Sequence, residues 1–119
     1  MGVDFDVDVI YGFQLDTEMI KKVLELHGDG FDFYDLQDLL SDETNCSLMV
    51  DNYYVDWECT NVYFGIRIFN YLTAATCAEI EKDRRQEVID ALMEYFGGFD
   101  ALEGGTPQEP VFYSVGIIW

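Results

Sequence analysis

From Val3 to Val9 the chain alternates without a break, with Val3, Phe5, Val7 and Val9 set against Asp4, Asp6 and Asp8. Successive side chains of a strand point to opposite faces, so a two-residue period predicts a strand with one apolar and one wet side. The run continues through Ile10-Tyr11-Gly12-Phe13-Gln14-Leu15 and places Tyr11 on the apolar face. Asp is a poor strand former, and three like charges on one face repel each other. Both costs are tolerable if Asp4, Asp6 and Asp8 face outward, where they stand roughly 6.8 Å apart at about 3.4 Å of rise per residue.

The rest of the chain supplies what such a strand packs against. Asp16 is a good N-cap, Met19, Ile20, Val23, Leu24 and His27 recur at helical spacing, and Gly28 stands where a helix-ending glycine belongs. This predicts a helix over Thr17–His27, with His27 at its C-terminal end. Phe33, Leu36, Leu39 and Leu40 share one face of a second, shorter helix over Phe33–Leu40, capped by Asp32. Asp35, Asp38 and Asp42 share the opposite face. Strand patterns follow over Ser47–Val50, Tyr53–Glu58 and Val62–Tyr71, with turns at Asp51-Asn52 and Cys59–Asn61. In the middle one Tyr53, Val55 and Trp57 face one way, and Tyr54, Asp56 and Glu58 the other.

Thr76-Cys-Ala-Glu79 reads as a capping box. The stripe Ile80, Arg84, Val88, Ala91, Leu92, Tyr95 then predicts a third helix, stopped by Gly97-Gly98. Arg84 interrupts that stripe, either with its stem packed and its charge outward or paired with a carboxylate. Val111–Trp119 is a final strand. Gly12, Gly65 and Gly116 each sit inside an apolar strand, a costly position unless a bulge or close approach requires it. They are expected to line up across neighbouring strands and let a helix or aromatic ring pack close. The order β-α-α-β-β-β-α-β, joined by short links, predicts an α+β two-layer sandwich. Its mostly antiparallel sheet has about five strands, with two to three helices on one face. A chain of 119 residues is the size of one such domain, 1–119.

Charge narrows function. Twenty-four acids against six bases give −18. No Lys or Arg occurs from Val23 to Ile66, where ten acids fall, nor from Gln86 to Trp119, where six more do. Such a surface repels nucleic acid and anionic membranes and favours a partner with a basic surface. No apolar run approaches the roughly 18–20 residues of a membrane span, and no secretory pattern opens the chain. Together with Cys46, Cys59 and Cys77, which are odd in number and irregularly spaced, this points to reduced thiols and a cytoplasmic protein. No histidine–cysteine set has zinc spacing, since His27 is the sole histidine.

A D-x-D strand is one way to hold Mg²⁺. Here no Thr completes a phosphatase-like Asp-x-Asp-x-Thr pattern, and no Gly-rich phosphate cradle or lysine motif completes the set. No catalytic residue, metal ligand or cofactor is therefore assigned. The strand aromatics Tyr53, Tyr54, Trp57, Tyr63, Phe64, Phe69 and Tyr71 leave a small-molecule-binding module as an alternative, beside a metal-dependent enzyme.

Three Asp at that strand spacing resemble the phosphate repeat of a nucleic-acid strand. Asp35, Asp38 and Asp42 on a helix, with Asp56 and Glu58, extend the negative surface. The composition is similar to that of nucleic-acid mimics and other small inhibitors used by phages and mobile elements against restriction or CRISPR nucleases. This likeness implies a non-enzymatic inhibitor that occupies the nucleic-acid-binding surface of a basic protein in the host cytoplasm, through Asp4, Asp6, Asp8, Asp35, Asp38, Asp42, Asp56 and Glu58. An immunity protein or antitoxin against a basic nuclease toxin meets the same description. Homodimerisation stays open, with Tyr113 and Trp119 as contact candidates.

Overall fold

The computed structural model describes residues 5–52, 54–69 and 72–118, with side chains from Asp8 to Val115. Asp4, Tyr53, Tyr71 and Trp119 lie outside the described residues, and so does the side chain of Asp6. The architecture is α+β. Strands β1 (Phe5–Leu15), β2 (Ser47–Val50), β3 (Val62–Ile68) and β4 (Val111–Ile118) form an antiparallel sheet in the order β2-β3-β1-β4. Helices α1 (Thr17–His27), α2 (Phe33–Glu43) and α3 (Ala74–Phe96) pack on one face.

That face holds the main core. Tyr11, Phe13 and Leu15 of β1, Leu48 and Val50 of β2, and Val62, Phe64 and Ile66 of β3 meet Ile20 of α1, Phe33, Leu36 and Leu40 of α2, and Val88, Leu92 and Phe96 of α3. Burying one such side chain contributes about 1.5–3 kcal/mol. Among the described residues no polar or charged residue is buried with them.

α1 begins and ends where the pattern places it, with the Asp16 carboxylate accepting from the Glu18 amide at 2.9 Å. α2 runs one turn further than the apolar stripe, to Glu43. α3 starts earlier than expected. Its N-cap is Thr73, and Thr76 at the third helical position returns the hydrogen bond, so the capping box is Thr73/Thr76 and not Thr76/Glu79. Gly97 ends α3 in the left-handed conformation (φ 81°).

Among the described residues, 54–58 form no strand where one is expected over Tyr53–Glu58, so the sheet has four described strands instead of five. β2 pairs directly with β3, and the intervening segment makes a 3₁₀ turn at Trp57–Cys59. The cause is Trp57. Its indole stacks on Phe33 of α2 at 4.9 Å and 10°, which draws the segment across to the helix layer and leaves Tyr54 and Val55 exposed.

The opposite face of the sheet is not the open wet face that the alternation predicts. Ile10, Met49, Tyr63 and Val115 are buried there, with Tyr113 against them. In a flat sheet β2 and β4 would stand roughly 14 Å apart, three strand spacings, yet their Cα atoms come within 8 Å. The sheet therefore curls, with this face concave. Gly12 and Gly65 are direct partners across β1 and β3. A Cβ on Gly12 would lie 2.0 Å from the Phe64 carbonyl oxygen, and one on Gly65 2.1 Å from that of Tyr11. The paired glycines let the two central strands approach at a sharp bend. Next to them the rings of Tyr63 and Tyr113 meet at 5.1 Å. Gly116 pairs with Val7 and does not join this line. Two of the three strand glycines thus line up, and what they admit is a neighbouring backbone rather than a helix.

Candidate functional site

Three of the expected acidic positions follow from the way α2 buries its stripe. With Phe33, Leu36 and Leu40 turned into the core, Asp35, Asp38 and Asp42 are left exposed on the outer side. Asp35 also closes the first turn. Its carboxylate accepts from the Asp32 amide, and the Asp32 carboxylate accepts from the Asp35 amide, both at 2.9 Å. Tyr34, 59% exposed, stands in one row with Asp38 and Asp42, four residues apart each time.

The Phe33–Trp57 stack ties the short segment that carries Asp56 and Glu58 to the helix layer. They arrive on a 3₁₀ turn instead of a strand face, and both are exposed. Glu58 is bonded to Lys21 at 3.0 Å, and Lys21 also reaches Glu18 at 3.2 Å. Those two bonds, Glu58 first, raise the Lys21 pKa and keep it charged.

At the other end of α2 the acidic surface passes onto α3. Glu43 accepts from the Tyr95 hydroxyl at 2.5 Å, and that bond pushes the phenol up to about 12. A cleft of about 480 Å³ opens between the two helices, with Glu43, Glu87, Asp90 and Glu94 in its walls. Arg84 grips Glu87 through Nε and Nη2 at 2.9 and 3.0 Å, and Asn45 adds a third bond at 3.2 Å. These bonds, Arg84's first, lower the Glu87 pKa. So Arg84 pairs with the carboxylate one turn along its own helix.

Glu87, Asp90 and Glu94 were not among the residues read from the sequence. Their spacing of three and four is itself a helical face and was the available signal.

An acidic stripe results along about 16 Å of α2, and the Glu43–Tyr95 bond and the cleft beside it carry it across to Glu94. Asp35, Asp38, Asp42, Glu43, Asp56, Asp90 and Glu94 form no ion pair among the described residues. Like charges about 6 Å apart in water repel by roughly 0.7 kcal/mol per pair. The chain accepts that cost several times over. Four of its six bases, Lys21, Arg67, Arg84 and Arg85, are already held by carboxylates.

Asp8 does not belong to this stripe. It shares the concave face of the sheet with Ile10, its side chain is 23% exposed, and it is bound to Arg67. Arg67 in turn lies over the Phe69 ring at 5.0 Å. Asp8 is thus a neutralised cross-strand partner and not a free outward charge. The residues expected to act as one set divide accordingly. Asp35, Asp38, Asp42, Asp56 and Glu58 come together on the helix layer, while Asp8 stands apart.

Of the strand aromatics, Phe64 and Tyr63 are buried and Phe69 is exposed. His27 stacks on Phe31 at 4.3 Å at the end of α1. The three cysteines are free, Cys46 buried and Cys59 exposed. Burial pushes the Cys46 thiol up to about 11. Among the described residues no group of three or more His, Cys, Asp or Glu is disposed to hold a metal ion, and no helix is long and apolar enough to cross a membrane. Comparison of the chain with protein-family models, curated proteins and solved structures gives no match.

Proposed function

We propose that this is a small acidic interaction protein that occupies a basic, nucleic-acid-binding surface of a partner protein and so inhibits it. The observation that carries the reading is the stripe along α2 and α3, in which the six carboxylates of Asp35, Asp38, Asp42, Glu43, Asp90 and Glu94 have no cation partner among the described residues. Complementary charge of this extent steers association, raises on-rates and rejects acidic competitors. The row Tyr34–Asp38–Asp42 adds an exposed aromatic ring, a favoured anchor in protein interfaces and a face for an arginine of the partner. An anti-defence inhibitor and an immunity protein against a basic nuclease both meet this description. On this reading the protein is a ligand of its partner and not an enzyme, and it acts where that partner acts, in the cytoplasm.

The test is capture from a host lysate at low and high salt, with wild-type protein and with a variant carrying Asp38→Asn, Asp42→Asn, Asp90→Asn and Glu94→Gln. The expected result is a basic nucleic-acid-binding protein, released by salt and missing from the variant. Equal capture by both proteins contradicts the reading.

A further inference from the structure

Tyr34 presents a large ring to solvent in a fixed orientation. It stands in the first turn of α2 and is exposed. Its ring meets that of Phe33 at 5.9 Å and 83°, an edge-to-face contact. Phe33 is buried, and its own ring stacks on Trp57. An immobile neighbour therefore holds the exposed ring, and a tyrosine has only two side-chain torsions to lose on binding. One turn along the same face is Asp38. Helical side chains lean toward the N-terminus, so the Asp38 carboxylate reaches back toward the ring. Asp38 is exposed and forms no ion pair among the described residues, whereas Asp35 beside it is engaged in the helix cap. Asp42 repeats the exposed carboxylate one turn further on.

A flat π face beside a carboxylate fits a planar cation. The guanidinium of arginine stacks on an aromatic ring and keeps its in-plane N–H fork for a carboxylate. The ammonium of lysine is compact and strongly hydrated and offers no plane. Charge alone, which the rest of the stripe supplies, attracts both alike. We propose that Tyr34 and Asp38 together form an arginine-selective anchor, in which a guanidinium of the basic partner lies on the ring and donates to the carboxylate. Asp42 takes the next cation of the same partner segment. This anchor, which rests on the reading of the stripe as the docking surface, chooses between two basic side chains where charge does not. Tyr54 is the contrasting ring: it is as open as Tyr34 but lies in a turn, with no carboxylate one helical turn along.

The experiment is a ¹⁵N–¹H titration of the full chain, at one fixed ionic strength, with end-blocked hexa-arginine and hexa-lysine peptides of equal charge. Wild type is expected to bind the arginine peptide about threefold or more tightly than the lysine peptide, with the largest shifts at Phe33–Asp38. Tyr34→Phe keeps the ring and should keep that preference. Tyr34→Leu places a good helix former at an exposed position, so it folds, and should reduce the preference to about 1.5-fold or less. Its affinity for the lysine peptide should stay within about twofold of wild type. Asp38→Asn should lower the preference likewise, and Tyr54→Leu should leave it unchanged. Equal binding of the two peptides by wild type, a preference undiminished in Tyr34→Leu or Asp38→Asn, its loss in Tyr34→Phe, or an equal loss in Tyr54→Leu overturns the anchor and leaves the acidic docking surface standing. No shift along α2 with either peptide at millimolar concentration overturns both.

Discussion

Replacing Gly12 by Ala tests the bend that gives the sheet its shape. The new methyl would sit 2.0 Å from the Phe64 carbonyl oxygen and 2.7 Å from the Gly65 Cα. All of these are backbone atoms of the neighbouring central strand, so no side chain can swing away. Relief requires β1 and β3 to separate by more than about 1 Å, which disrupts at least two ladder hydrogen bonds worth about 1 kcal/mol each. It also strains packing at a further 1–3 kcal/mol. The expected loss is about 3–5 kcal/mol, a large part of the 5–15 kcal/mol typical of a domain.

Urea unfolding followed by circular dichroism reads this as a fall in midpoint of roughly 2 M or more, with m near 1–2 kcal/mol/M. Gly65→Ala should behave alike, and the double variant should lose less than the sum, because one separation relieves both clashes. The control is Gly104→Ala, where a Cβ meets nothing within 4 Å. It should be neutral or gain up to about 1 kcal/mol. A Gly12→Ala protein within 1 kcal/mol of wild type would refute the reasoning about the bend.

Three further outcomes are expected. Trp57→Ala should cost about 3 kcal/mol by removing the stack on Phe33, and ¹⁵N–¹H spectra should show the Asp56–Glu58 segment released from α2. Iodoacetamide at pH 8 should label Cys59, which is exposed, well before Cys46, whose thiol is buried and pushed up to about 11; mass spectrometry of the peptides gives the order. In Tyr95→Phe, the difference in absorbance titration from wild type should show one phenol missing near pH 12 instead of near pH 10. The raised folded value means that the Tyr95–Glu43 bond stabilises fully below about pH 10 and is lost between about pH 10 and 12.

The helices were legible because their apolar periods are strong, although the cap of α3 was misplaced by three residues, at Thr76 instead of Thr73. Asp16 and Gly28 bracket α1, and Phe33, Leu36 and Leu40 leave only one way for α2 to turn. The Tyr53–Glu58 alternation misled because period alone does not say what a tryptophan will reach. Trp57 satisfies itself against Phe33, about 80 Å of extended chain away, and breaks the strand to do so.

The wet face was misread for a related reason. Alternation at Asp4, Asp6 and Asp8 ends at Asp8, and Ile10 continues that face into a second small core on the concave side of the sheet. Asp8 then meets Arg67 from the facing strand, a contact that depends on register. The α2 acids could be read from spacing. Their junction with Glu87, Asp90 and Glu94 could not, because it needs the packing of α2 against α3.

The account rests most heavily on which acids bind the basic partner. The direct measurement is the affinity of the captured partner, at one fixed ionic strength, for wild type, for the Asp38→Asn/Asp42→Asn/Asp90→Asn/Glu94→Gln variant and for Asp8→Asn. Removing four stripe charges should weaken binding by about 100-fold, roughly 0.7 kcal/mol per charge, while Asp8→Asn should stay within about twofold. If Asp8→Asn weakens binding as much as the stripe variant, or the stripe variant binds like wild type, the helix-layer stripe is not the binding surface.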